Sequence, residues 1–288
     1  MRQTHGFGPD NNVVAVHHPV HQSNPLIFSS PHSGRFYPED LLTHCRAPLK
    51  VLRRSEDAYV DEVYSDAPQF GALFIEALFP RAFVDPNRAR TELDPDMIEL
   101  PVMPEIGRVT SRAAAGLGVL PRVSADGRAL YSDRMSHQQA YALLKRFYDP
   151  YHDTLKAAIA RTRKAFGQAI VIDCHSMPAA SARGADIVLG DRFGTSCSRA
   201  LISTMEYQLR DLGFSVVRNR PYAGGYTTEF YGHPEAGVHV VQVELNRSLY
   251  LDEVRVTPTS GLGMLKETIN TWISAFTKTH LPHKIAAE

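Results

Sequence analysis

The chain has 288 residues, 43% of them hydrophobic, and its 31 basic and 31 acidic residues give a formal net charge of +0. That length supports a large core, and balanced charge without a long basic block excludes nucleic acid and anionic membranes as expected partners, favouring a small polar substrate that needs only local charge. Cys45, Cys174 and Cys197 are too sparse for a disulfide framework and form no CxxC pair. With no basic-then-apolar leader and no apolar run of about 18 residues, the expected setting is cytoplasmic.

In chain order, residues 1–24 are polar and His-rich (His17, His18, His21) and read as a flexible N-terminal segment. Residues 25–288 show no linker-like composition shift and read as a single catalytic domain. Strand-like runs rich in Val, Ile, Leu and Phe fall at 26–29, 72–78, 81–84, 168–174, 185–189, 214–218 and 238–245. Ser55-Glu56-Asp57 reads as a helix start, with Ser55 as N-cap and Val60, Val63 and Tyr64 as the buried stripe. Residues 86–130 carry Pro, Gly, Arg and acids with little periodicity, as functional loops do. Helical patterns follow at 136–165, divided at Pro150, at Thr195–Leu212, closed by Gly213, and at Gly261–Thr279, with Leu265, Ile269, Trp272, Ile273 and Phe276 on one face. Alternating strands and helices imply a three-layer α/β/α architecture.

Polar groups gather where the apolar strands end, the place where open α/β sheets bind ligands. The run 26–30 enters Pro31-His32-Ser33-Gly34, the run 169–172 delivers Asp173-Cys174-His175-Ser176, and the run 238–243 ends at Glu244. Two imidazoles and an acid are the ligand set of a catalytic zinc site. His32 and His175 are the imidazoles. Asp57 is the preferred acid, because it starts the element after the His32 loop, with Glu56 and Asp61 as competitors. Asp173 shares a strand face with His175 and is placed to orient a histidine through its second ring nitrogen. Cys174 points the other way, which disfavours a Cys–His nucleophile pair. Glu244, a carboxylate ending a buried run, is the candidate general base, with an ion pair to Arg247 as its plain alternative. Asn87 and Arg88, after Asp85-Pro86, suit a substrate carboxylate. Tyr226 and Thr228, in the loop Pro221-Tyr222-Ala223-Gly224-Gly225-Tyr226-Thr227-Thr228, are candidate substrate contacts, as are Arg183 and Asp186.

These motifs, in this order over roughly residues 26 to 255, resemble the N-formylglutamate amidohydrolase family. The resemblance implies a zinc-peptidase-like (phosphorylase/hydrolase-like) fold with a central mixed, mostly parallel sheet. It also implies metal-dependent hydrolysis of the formyl amide of N-formylglutamate, the last step of one histidine-degradation route. Carried onto this chain, the metal ligands fall on His32, Asp57 and His175, the general base on Glu244 and the carboxylate clamp on Asn87 and Arg88. Ser33, Pro86 and Cys174 stand where the histidine-pathway enzymes carry Pro, Leu and Ala, which leaves the acyl group and amino acid open. A related N-acyl amino acid or peptidoglycan-fragment amidase, or a non-catalytic carboxylate-binding relative, are the other readings. Oligomeric state is not legible.

Overall fold

The structure, a computed structural model, describes residues 12–99, 109–124 and 127–279. Two compact units form. One gathers Pro31–Ala58, Ala77–Thr154 and the chain before Val16; the other gathers Val16–Ser30, Tyr59–Glu76 and the chain from Leu155 onward.

The second unit carries the sheet. Its strands are β1 (Val14–His17), β2 (Leu26–Ser30), β3 (Leu73–Ala77), β4 (Ala169–Met177), β5 (Ile187–Gly190), β6 (Val216–Arg218) and β7 (Val238–Asn246). They lie in the order β1-β3-β2-β4-β7-β5-β6. Strand β2 runs parallel to β3 and β4, β4 parallel to β7, and β6 parallel to β5, while β5 runs antiparallel to β7. This is the expected α/β fold with a mixed, mostly parallel sheet. Every residue of β2, β4 and β7 is buried, which explains their continuous apolar runs.

Side chains alternate between the sheet faces. Phe28 meets Tyr64 at 5.6 Å and Trp272 edge-on at 6.4 Å, and Trp272 stacks on Phe276 at 5.4 Å. The helix Gly261–Lys278 therefore covers the Phe28 face, and its buried residues are the five that its periodicity marked. Phe28, Ile172 and Val241 share that face by register, and Cys174 follows Ile172 by two residues.

The first unit is built from short helices and turns. Phe83 anchors a cluster with Val51, Leu52, Ala82 and Leu130, and Tyr37 packs edge-on to it at 5.7 Å. The helix His137–Leu143 starts with a capping box between Ser136 and Gln139, passes through a π-helical turn at Leu144–Tyr148, and continues as Asp149–Phe166. The break thus precedes Pro150, which sits at the start of the second helix, where its missing N–H is harmless.

Three expectations are corrected. Residues 81–84 form no strand: the Phe83 N–H bonds the Pro80 carbonyl at 3.0 Å, closing a turn. Ser55 does not cap a helix but ends the 3-10 turn Arg53–Ser55, after which Glu56 is extended. The helix begins at Val60 behind Tyr59, which is left-handed at φ 65. The Thr195–Leu212 pattern starts later, at Arg199, where the Ser198 hydroxyl accepts from the Leu201 N–H. The flexible segment expected over 1–24 lies outside the described residues up to 11, and within them Val14–His17 forms β1. Part of the 86–130 stretch, at 100–108 and 125–126, also lies outside them.

Candidate metal centre

In the first unit, His32 follows β2 by two residues. Its Nε2 lies 2.7 Å from Asp85 Oδ1 and its Nδ1 lies 3.3 Å from Asp57 Oδ2, and all three side chains are buried. Asp57 is held against this loop by its own N–H, which donates to the His32 carbonyl at 3.0 Å. Arg81, delivered by the Pro80 turn, reaches Asp85 Oδ2 at 2.7 Å and Asp57 Oδ1 at 3.7 Å. Burial alone would raise the Asp85 carboxyl, but Arg81, His32 and Arg88 outweigh it and hold it well below the usual carboxylate range. His32 thus lies between two buried carboxylates, with Asp85 at Nε2 and Asp57 at Nδ1.

Glu56 is turned elsewhere: it accepts from the Tyr37 hydroxyl at 2.8 Å and from Arg53 Nε at 3.1 Å. Its pKa is raised, burial being the larger effect and Arg53 the main opposing one. Asn87 is buried, its N–H donating to Asp85 Oδ1 at 2.9 Å. Arg88 is half-buried and donates to the carbonyls of Leu117 and Asn87. The loop is braced from beneath, with the Tyr148 hydroxyl on the Arg88 carbonyl at 2.9 Å and His152 Nε2 on the Pro86 carbonyl at 2.9 Å. The π-helical turn ends at Tyr148 and feeds that bracing helix.

In the second unit, register sets the chemistry. Ser29, Asp173, Gln242 and Gly190 form one row across β2, β4, β7 and β5, and His175, Glu244 and Val188 form the next. Paired residues share a face, so Asp173, His175, Gln242 and Glu244 cluster on the face opposite Phe28. His175 Nε2 approaches Asp173 Oδ2 to 3.0 Å, and the Asp173 carboxylate is fully buried. Glu244 accepts from Gln242 Nε2 at 2.8 Å. Arg247 donates through Nε to the Ser176 hydroxyl at 3.1 Å. Cys174 lies on the helix-covered face with its Sγ on the Ile172 carbonyl. Burial first, and Asp173 second, push its thiol well above the ordinary range, so it supplies no nucleophile.

The Gly-Gly loop reaches this cluster through Gln242, whose Oε1 accepts from the Gly225 N–H at 2.8 Å. Thr228 is buried and donates to the Gly225 carbonyl at 2.7 Å, and Tyr226 stacks on Phe230 at 5.0 Å. Asp186 is a structural residue, accepting from the Ser215 N–H at 2.8 Å. Arg183 is exposed at the end of the short helix Ala179–Ala182, and among the described residues no hydrogen bond or ion pair ties it to the other candidates.

Among the described residues, His32, Asp57 and His175 form a group able to hold a metal ion, each offering one ligand atom, with those atoms all within 4.8 Å of one another. The donor set of two imidazoles and one carboxylate suits zinc, and a carboxylate lies behind each ring, Asp85 behind His32 and Asp173 behind His175. Asp85 and Gln242 escaped the sequence reading. Asp85 is separated from His32 by 53 positions and carries no local signal of that contact. Gln242 did carry one, being an amide on the Glu244 side of an apolar strand.

The model of the N-formylglutamate amidohydrolase family matches residues 24–251. N-formylglutamate deformylase of Pseudomonas aeruginosa is 32% identical over 241 residues, covering 80% of this chain and 83% of that protein. N-formylglutamate deformylase of Pseudomonas putida is 28% identical over 237 residues, covering 80% and 82%. The crystal structure of N-formylglutamate amidohydrolase from Ralstonia eutropha JMP134 superposes with a TM-score of 0.87 at 29% identity, over 92% of this chain and 97% of that one. A gene product of Agrobacterium tumefaciens, 19% identical with a TM-score of 0.63, shares the fold over 94% of this chain and 97% of its own.

Proposed function

The chain belongs to the N-formylglutamate amidohydrolase family and is a hydrolase of amide bonds, and from that premise we propose that it cleaves N-formyl-L-glutamate to formate and L-glutamate with zinc held by His32, Asp57 and His175. The observation that carries this reading is a pair of buried imidazoles, each with a carboxylate behind it, offering ligand atoms together with Asp57 within 4.8 Å. The competing acid Glu56 is already engaged by Tyr37 and Arg53. Residues 25–288 act in this reading as one catalytic domain. The chain passes from one compact unit to the other at 15/16, 30/31, 58/59, 76/77 and 154/155, and no linker composition marks any of those points. Three free cysteines agree with a cytoplasmic setting.

Zinc, when bound by such a set, supplies a Lewis acid and brings the pKa of a water to about 7. The chain's own residues do the rest. Asp85 and Asp173 fix ring tautomer and orientation at His32 and His175. Glu244, the register partner of His175, takes a proton from the water as its oxygen attacks the formyl carbon. Glu244 then gives that proton to the amide nitrogen as the C–N bond breaks, and formate and the free amine leave. Asn87 and Arg88 receive a substrate carboxylate, with Arg88 offering a planar fork. Tyr226 and Thr228, on the helix Tyr226–Tyr231 behind the Gly-Gly turn, and Arg183, after the short helix Ala179–Ala182, are the further substrate contacts in this reading.

A product assay over N-formyl, N-acetyl and N-succinyl amino acids tests the substrate. N-formyl-L-glutamate is expected to show the highest kcat/KM, by about tenfold or more over N-formyl amino acids without a side-chain carboxylate, since one charge-assisted hydrogen bond contributes about 1.5–3 kcal/mol. A larger acyl group as the best substrate would move the assignment to a related N-acyl amino acid amidase.

A further inference from the structure

Resting on the reading of Glu244 as general base, we propose that Gln242 is a positioning residue that fixes the Glu244 carboxylate and ties it to the Gly224-Gly225 loop. Strand β7 is buried along its whole length, and Gln242 is only 4% exposed within it. A buried amide is tolerated when both of its ends are bonded. Here Oε1 accepts from the Gly225 N–H and Nε2 donates to Glu244 Oε1, each at 2.8 Å.

The amide orientation follows from its partners. A backbone N–H only donates, so it must meet Oε1, and an ionised carboxylate only accepts, so it must meet Nε2. A reversed amide would set donor against donor and acceptor against acceptor. Gln242 thus pins one carboxylate oxygen of Glu244, and with it the plane of the carboxylate and the direction of Oε2.

The other end of the link is rigid. A Cβ on Gly190 would lie 2.8 Å from Ala223 C and from Gly224 N, so the loop backbone rests on β5 at a position where only glycine fits. Gly224 is left-handed at φ 122, and a Cβ there would lie 2.4 Å from Thr228 Oγ1. The Gly224-Gly225 turn, which leads into the helix Tyr226–Tyr231 carrying Tyr226 and Thr228, and the base on β7 are therefore held in register by one amide, so that ligand contact at that helix start bears on the aim of Glu244.

Gln242→Met keeps length and volume and removes both bonds. It is measured for kcat and KM with N-formyl-L-glutamate, for bound metal and for melting temperature, alone and in the Glu244→Gln background. The expected result is a kcat about 10- to 100-fold lower, as misaimed catalytic groups give, with KM within about twofold, metal content unchanged and no further loss in the Glu244→Gln background. Gln242→Asn, too short to span both partners, gives a second variant should the methionine fail to fold, with the same expectation. A kcat within about twofold of the parent, or an equal loss when Glu244 is already replaced, would overturn the proposal. Full activity of Glu244→Gln by itself is a separate outcome: it removes Glu244 from the mechanism, and the positioning role with it. Failure of the parent enzyme on N-formyl-L-glutamate, with turnover of another N-acyl amino acid, overturns only the substrate assignment, and the same cycle then runs on that substrate.

Discussion

Glu244→Gln is expected to keep its fold and its zinc and to lose roughly 100- to 10,000-fold in kcat, the range that general acid–base catalysis contributes. Glu244 sits opposite His175 in the register of β4 and β7, on the buried polar face of the sheet. It is not among the residues whose ligand atoms form the metal group. The amide replacement conserves shape and keeps an acceptor for Gln242, so binding should change little. It removes the group that holds the water's proton and returns it to the departing nitrogen, so the loss should appear in kcat with KM nearly unchanged. Steady-state formate release together with metal analysis of the same sample checks both halves. Turnover within a few-fold of the parent would take Glu244 out of the reaction.

The second large effect is expected at a ligand. His175→Ala should lower zinc affinity by more than about 100-fold, because even the outer partners of metal ligands are worth 10- to 100-fold, and formate release should fall to background. The variant also strips Asp173 of its neighbour. That carboxylate is fully buried and lies 3.0 Å from His175 Nε2, and losing this contact should destabilise the protein by about 1–3 kcal/mol. Zinc content after dialysis and a thermal melt measure the two consequences separately. Retention of one tightly bound zinc in this variant would exclude His175 as a ligand.

Both expectations depend on register, and register explains which features were legible from sequence. Ala169–Ile172 is a continuous apolar run and Val238–Val243 a mostly apolar one because both faces are covered, and the groups that follow them, His175 and Glu244, stand out against that background. The stripe on Gly261–Lys278 was equally plain, since 3.6-residue periodicity is local. Period-two alternation alone placed Cys174 opposite His175, and the structure bears this out.

The missed features depend on distant partners. The stretch 81–84 is apolar enough for a strand, yet Pro80 turns the chain and directs Arg81 at Asp85 and Asp57. Ser55-Glu56-Asp57 has the composition of a helix start, but the Asp57 N–H is taken by the His32 carbonyl and the chain stays extended until Tyr59. Local propensity yields there to a contact spanning 25 positions. Asp85 behind His32 and Gln242 between Glu244 and the Gly-Gly loop follow the same rule, each defined by a side chain or backbone group that only the folded chain brings near.

The most direct measurement is the metal dependence of formate release by protein purified without an affinity tag. The expected result is about one equivalent of zinc per chain, loss of N-formyl-L-glutamate hydrolysis on chelation, recovery on adding zinc, and anomalous scattering centred on His32, Asp57 and His175. Undiminished hydrolysis by metal-free protein would contradict the account, as would a stoichiometric metal bound by other residues.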